Sequence, residues 1–205
     1  MSIVKKAVVL LLSGACLAVA DDPDSKKTSS SSKLPKVNSA IVAFAREQLG
    51  KSVGDGECTT LVVHALRAGN AECQPEGGLN GDYVWGTLVE ARSEVLPGDI
   101  LQFRDAEFSG SRRVARDGHV FLNIYKRTMP HHTAIVEEVR ERGRVLVVLH
   151  QNVGDEDTSE EARRRVHRDV LRLRELQKGT VKAYRPIEQA DEPLTSEAPP
   201  RDCLP

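Results

Sequence analysis

Aromatic side chains are scarce, at 4% of the 205 residues with a single Trp, too few to build a base-stacking platform for nucleic acid. Acidic and basic residues nearly cancel, leaving a formal net charge of -1, so no global field draws the chain to a polyanion. The apolar run from Ala7 to Ala20 falls short of the roughly 20 residues that a spanning helix needs. No Cys-x-x-Cys pair offers a zinc site and no internal repeat marks a solenoid. With these classes removed, a single α+β domain carrying a small polar site is what the rest of the chain has to explain.

Lys5 and Lys6 precede that apolar run, and Ala18-Val19-Ala20 supplies small residues before Asp21, the pattern of a secretory signal peptide cleaved after Ala20. A lipoprotein reading through Cys16 lacks the leucine usual three positions earlier. The expectation is a secreted or periplasmic chain with no stable membrane association once the leader is gone. Residues 21–36, with the Ser29 to Ser32 run, and the Pro-rich acidic stretch 188–205 cannot bury enough apolar surface to offset ordering entropy, and read as linker and tail. Residues 37–187 then form one domain, long enough to bury about 70% of its unfolded surface. The basic runs Arg112-Arg113, Arg116 and Arg163-Arg164-Arg165 read as solvated faces.

After cleavage three cysteines remain, Cys58, Cys73 and Cys203. An odd number leaves at least one thiol unpaired within the chain. Cys58 is the expected free one, and Cys73 and Cys203 are the pair that could close.

Apolar spacing at Val37, Ile41, Phe44, Ala45 and Leu49 predicts a first helix stopped by Gly50. A second is expected from Cys58 to Ala68, with Leu61, Val62, Ala65 and Leu66 as its buried stripe. Strands follow at Ile100 to Phe103, after the turn Leu96-Pro97-Gly98-Asp99, then at His132–Val139, Val145–Asn152, Arg165–Leu173 and Thr180–Arg185. The stretch Arg104 to Met129 is basic and weakly patterned; it reads as a surface loop with a short strand at His119 to Tyr125. Helices first and strands afterwards make an α+β fold, N-terminal helices packed on a small antiparallel sheet.

The chemistry centres on Cys58. It follows the glycine-punctuated turn Gly54-Asp55-Gly56-Glu57 and opens a helix, where unsatisfied N–H groups favour a thiolate. A helix terminus supplies about 0.3–1 kcal/mol, less than one pKa unit, so an imidazole must supply the rest of any activation. His132 is the expected partner, with His131 and His119 as alternatives. On a strand, side chains two apart share a face, so His150 and Asn152 are expected to point toward His132 while Leu149 and Gln151 point away. A metal site from His131, His132 and His150 is a further option, and a non-hydrolytic binding module is another.

Gly56-Glu57-Cys58, Pro97-Gly98-Asp99-Ile100, His132-Thr133-Ala134-Ile135-Val136 and His150-Gln151-Asn152 resemble, in order and spacing, the papain-like superfamily of NlpC/P60 peptidases and CHAP amidases. A closer likeness is to the cysteine-proteinase-fold domain at the C-terminus of certain fungal actin-patch proteins, through Asp82 to Gly86, Pro97 to Asp105 and His131 to Val136. The resemblance implies a papain-like fold and a thiol hydrolase of amide or peptide bonds, acting on a peptide or on peptidoglycan. Cys58 would be nucleophile, His132 acid and base, His150 the group that orients it, and Asn152 a contributor. Glu57 and Trp85 would contact substrate. No cofactor, metal or nucleic acid is implied, and nothing in the sequence fixes an oligomeric state. CHAP amidases carry Glu-x-Asn where this chain has His150-Gln151-Asn152, while NlpC/P60 enzymes often have a histidine at the place of His150.

Overall fold

A computed structural model describes residues 33–73, 82–116, 119–154 and 158–190. Expectations for the leader, most of the linker, the tail beyond residue 190 and Cys203 lie outside the described residues. The first two helices are α1, Lys36–Glu47, and α2, Cys58–Ala68. The strands are β1, Thr87–Val89; β2, Ile100–Arg116; β3, His119–Arg140; β4, Val145–His150; β5, His167–Arg172; and β6, Leu176–Arg185. A four-residue helix, α3, Glu160–Arg163, lies between β4 and β5. The strands make one antiparallel sheet in the order β1-β6-β2-β3-β4-β5, so the fold is the α+β papain-like one.

The helices cover one face of this sheet. Ile41 and Ala45 of α1 and Leu61, Val62, Ala65 and Leu66 of α2 pack with Ile100, Ile135, Leu149 and Tyr184. The opposite face has its own core, from Leu101, Phe103, Ala134, Val136, Leu146, Val148 and Leu171. No α-helix among the described residues joins that second core; Val95 and Leu173, from the short turns at Arg92–Glu94 and Leu173–Glu175, complete it. Complete burial of Leu61, Val62 and Leu66 contributes roughly 5–9 kcal/mol as an upper bound. That is enough to fix the rotation of α2, and with it the direction of Cys58 at its start.

One buried carboxylate ties helix to sheet. Asp99, fully buried, accepts hydrogen bonds from the Leu96 backbone N–H at 2.9 Å, from Asn38 Nδ2 at 2.9 Å, and from Arg185 Nε and Nη2 at 3.0 and 2.9 Å. This joins α1, the turn before β2 and the end of β6. Gly98 sits at φ +86°, and a Cβ there would come within 2.4 Å of the Asn38 carbonyl oxygen. Only glycine allows α1 to approach this closely.

The stretch from Arg104 to Met129 departs from the expected loop. β2 and β3 run on together, paired from Ile100↔Ile135 out to Arg116↔His119, while β6 leaves β2 after Phe108↔Leu176. The result is a two-stranded arm beyond the sheet. An exposed ribbon needs no alternation of apolar and polar residues to form its ladder, which is why the segment carries so little pattern.

Replacing Asp99 by Asn should leave the Arg185 guanidinium without its counter-charge in a mostly buried site. Breaking a fully buried pair costs about 3–5 kcal/mol; Arg185 is about one-third exposed, so the expected loss is about 2–4 kcal/mol. Urea unfolding at neutral pH reads this, and a midpoint equal to wild type would contradict the bolt.

Candidate active site

The turn before α2 is held from the far end of β4. Gln151, fully buried, accepts from the Val53 backbone N–H at 3.2 Å and donates through Nε2 to the carbonyls of Val53 at 2.9 Å and Glu57 at 2.6 Å. Asp55 accepts from the Glu57 N–H at 2.9 Å, and Arg164 Nη1 donates to the Asp55 carbonyl at 2.6 Å. Glu57 is the residue preceding α2, and its Oε2 accepts from Asn152 Nδ2 at 2.6 Å. The backbone into Cys58 is thus fixed by side chains remote in sequence. Gln151, expected to point away, is the residue that does most of this.

Cys58 is a free, buried thiol. It shares the stripe of Leu61, Val62 and Ala65 on α2 and so faces the helix-covered side of the sheet. Its polar neighbour among the described residues is Thr59 Oγ1, 3.9 Å away.

The two adjacent histidines divide between the faces. Ile135 packs against the helices, whereas Ala134 and Val136 belong to the opposite core. The register from Ile100↔Ile135 to Arg104↔His131 is unbroken, so His131 projects on the side of Cys58 and His132 on the other. His131 stacks on Tyr83, with ring centroids 5.6 Å apart and planes at 17°, and Tyr83 packs against the helix-side core. The His131 Nε2 atom is buried with no hydrogen-bond partner. Cys58 and His132, the expected pair, share no hydrogen bond among the described residues, and by strand parity the imidazole on the helix-covered face is that of His131. A metal site from His131, His132 and His150 fails for the same reason, since the three rings do not converge.

His132 instead begins a buried chain of polar groups. Its Nε2 lies 3.0 Å from His150 Nδ1, and His150 Nε2 lies 3.0 Å from Asp169 Oδ2. Asp169 is also ion-paired with Arg127 Nη1 at 2.7 Å. Burial alone would raise the Asp169 carboxyl, yet the hydrogen bond from His150 and the charge of Arg127 outweigh it and hold the group down at about 2. An ionised carboxylate can only accept, so His150 carries its proton on Nε2 and receives at Nδ1 the Nε2–H of His132. Burial pushes both imidazoles below the ordinary histidine range, His132 farthest, with the neighbouring His150 and Arg127 adding to the shift. The expected contact between His150 and His132 is present, on the side of the sheet away from the thiol.

The remaining assignments resolve as follows. Asn152 adopts φ +58°, leaves the strand alternation, and bonds Glu57 rather than His132. Trp85, 3% exposed, is core, and its indole N–H donates to Gln102 Oε1 at 3.1 Å. It does not line an open surface. Gln102 Nε2 in turn donates to the His132 carbonyl at 3.3 Å. Tyr83 beside His131, Gln102 and Gln151 beside the backbone, and Asp169 beside His150 carry contacts that the sequence reading did not assign. Counting faces outward from Ile100 and Ile135 separates His131 from His132. Cys73 is disulfide-bonded, to a partner outside the described residues. Among the described residues no cluster of three His, Cys, Asp or Glu has the arrangement of a metal site.

Comparison with known proteins gives two findings. The model of the AIM3/BBC1 cysteine proteinase-fold domain matches residues 28–193. An SH3 domain-containing protein of Schizosaccharomyces pombe is 35% identical over 105 residues, which is 49% of this chain and 6% of that protein's length. No solved structure matches.

The buried histidines make stability depend on pH. Their folded-state pKa values lie below the ordinary 6.5, so the unfolded chain binds protons first as pH falls. Their contribution is complete above about pH 6.5 and is lost below it, with a slope of up to about 2.7 kcal/mol per pH unit for two groups. Asp169 acts lower, between its ordinary 3.8 and about 2. Chemical unfolding at several pH values from 7 to 5 should show the first slope, reduced by about half in His132→Gln; a flat profile would mean that the imidazoles are not buried as neutral groups.

Proposed function

Because the chain belongs to the AIM3/BBC1 cysteine proteinase-fold domain family, we propose that it acts as a thiol hydrolase of amide or peptide bonds, with Cys58 as nucleophile and His131, in place of His132, as its acid and base. The observation that carries this reading is the sharing of one sheet face by a free thiol at a helix start and an imidazole whose Nε2 has no partner. A papain-type cycle needs these two groups. The thiolate attacks the carbonyl carbon, the imidazolium gives its proton to the leaving amine, and the neutral ring then takes a proton from the water that releases the acyl group. The Cys58 backbone N–H, one of the unsatisfied donors of α2, is the natural partner of the oxyanion.

The likeness of Gly56-Glu57-Cys58 and the β3 segment to NlpC/P60 peptidases and CHAP amidases supports peptide amides, including those of peptidoglycan, as the substrate class. The pattern from Lys5 to Ala20 supports export, and the disulfide at Cys73 is at home in an oxidising compartment. The matched region is a small part of the S. pombe relative, so nothing else of that protein is carried over.

A non-hydrolytic binding module is the second reading. It is favoured by the absence, among the described residues, of any side chain holding His131 Nε2, and by the single weak contact of the Cys58 sulfur.

Alkylation separates the two. At about pH 6 an activated thiol reacts with iodoacetamide while an ordinary one is sluggish. Cys58 should react readily in wild type, about tenfold more slowly in His131→Ala, and at the wild-type rate in His132→Gln wherever that variant remains folded. Equal rates in wild type and His131→Ala would remove the hydrolase reading. Release of amines from purified peptidoglycan by wild type, abolished in Cys58→Ala, would fix the substrate class. Export has its own check: the protein recovered outside the cell should begin at Asp21, and an N-terminus still at Met1 would refute cleavage.

A further inference from the structure

The arm formed by β2 and β3 carries three aliphatic side chains in the open. Val120, Leu122 and Ile124 are 70%, 62% and 74% exposed. They alternate along β3 and therefore lie on one face, a stripe that gains nothing from water. Cross-strand partners on that face are Ala115, Arg113 and Ser111 respectively, so a guanidinium stands directly beside the central leucine.

Among the described residues no further strand pairs with either long edge of the arm. β6 accompanies β2 no farther than Phe108, and β4 meets β3 only from Ile135 onward. From Val120 to Ile124 the outer edge of β3 thus presents backbone donors and acceptors to whatever comes alongside. At the base, Tyr125 donates its hydroxyl proton to Glu175 and Arg127 pairs with Asp169. These anchors fix the root of the ribbon to the domain.

Charge selects the partner. From Ser109 to Thr128 the sequence has five Arg and Lys against the one acid Asp117. Lys126 and Arg127 are paired with Glu107 and Asp169, and the register places three more arginine positions, 112, 113 and 116, toward the tip. Two such arms repel, so the same charge that attracts an acidic partner opposes a second copy of this chain. A bilayer would cover the stripe but leave the edge N–H and C=O groups without hydrogen bonds at depth. A strand satisfies stripe, charge and edge together.

We propose that the β2–β3 arm binds an acidic polypeptide segment in extended form, added as a strand to the free edge of β3, its apolar side chains beside Val120, Leu122 and Ile124 and its carboxylates within the field of the arm's excess positive charge. Main-chain hydrogen bonds give such an addition its affinity and alternate side chains its selectivity. This surface stands apart from Cys58 and holds whether or not the thiol is catalytic.

The test is a fluorescence anisotropy titration of the whole protein with labelled peptides about ten residues long, the length of a generous strand. One alternates Val with Glu, one alternates Val with Lys, and one is the acidic peptide with prolines in place of alternate valines. The acidic alternating peptide should bind at least about tenfold more tightly than either control. Leu122→Asp should weaken it about tenfold, and Arg113→Glu should move the preference toward the Lys peptide. Thermal melts confirm that each variant is folded, and the Arg113→Glu reversal stands as a second test should Leu122→Asp fail to fold. Equal binding of the proline peptide would reduce the effect to charge alone and overturn strand addition, as would failure of any peptide to bind. Leu122-dependent cosedimentation with phosphatidylserine vesicles without peptide binding, or Leu122-dependent dimerisation in sedimentation, would assign the surface to lipid or to a second copy instead.

Discussion

Neighbouring side chains on a strand point to opposite faces of the sheet, and the chemistry available to this protein turns on that parity at one place in β3. Ile135 lies against the helices, and an unbroken register carries the alternation down to the pair His131-His132. One imidazole is thereby delivered to the helix-covered face, and the other to the second core behind it. A shift of one residue would exchange them. Nothing about either histidine as an amino acid decides its role; the packing of Ile135, four residues on, does.

That parity was not legible in the sequence, for a definite reason. β3 and β4 are buried on both faces: Ala134 and Val136 enter one core as Ile135 enters the other, and all six residues of β4 are buried. A strand that is apolar on both sides shows no alternation, so its inward and outward faces cannot be told apart by hydropathy. α2 was legible because its evidence is local: a turn rich in glycine, then Cys58, then a one-sided stripe. Gln151 takes the expected face, away from His132, but its role escaped because its partners Val53 and Glu57 are remote in sequence. The arm escaped because its one exposed face puts Val120, Leu122 and Ile124 in solvent, where hydropathy gives no inward direction to read.

The motifs that most resemble the papain-like superfamily serve the scaffold at least as much as any reaction. Pro97-Gly98-Asp99 places a buried carboxylate where Asn38, Leu96 and Arg185 converge, and Asp82-Tyr83-Val84-Trp85 supplies an indole that closes on Gln102 and a ring that stacks on His131. Such blocks identify a fold with confidence that a single catalytic residue would not. They carry less about the reaction, because a fold can keep its supports while its site changes.

The polar chain on the side of the second core bears on the site through the backbone. His132, His150, Asp169 and Arg127 form a string in which the assigned protons meet acceptors, and a satisfied buried network holds its members rigidly, since any displacement leaves a polar group without a partner. His132 shares a peptide plane with His131, and its carbonyl is held by Gln102, which also receives the Trp85 indole. The backbone under His131 is therefore gripped from both faces. What remains free at that residue is rotation of the side chain itself, restrained by Tyr83. The imidazole thus has a fixed root, a stacked face and a buried Nε2 without a hydrogen-bond partner among the described residues, so any new contact it makes is decided by the side-chain torsions alone.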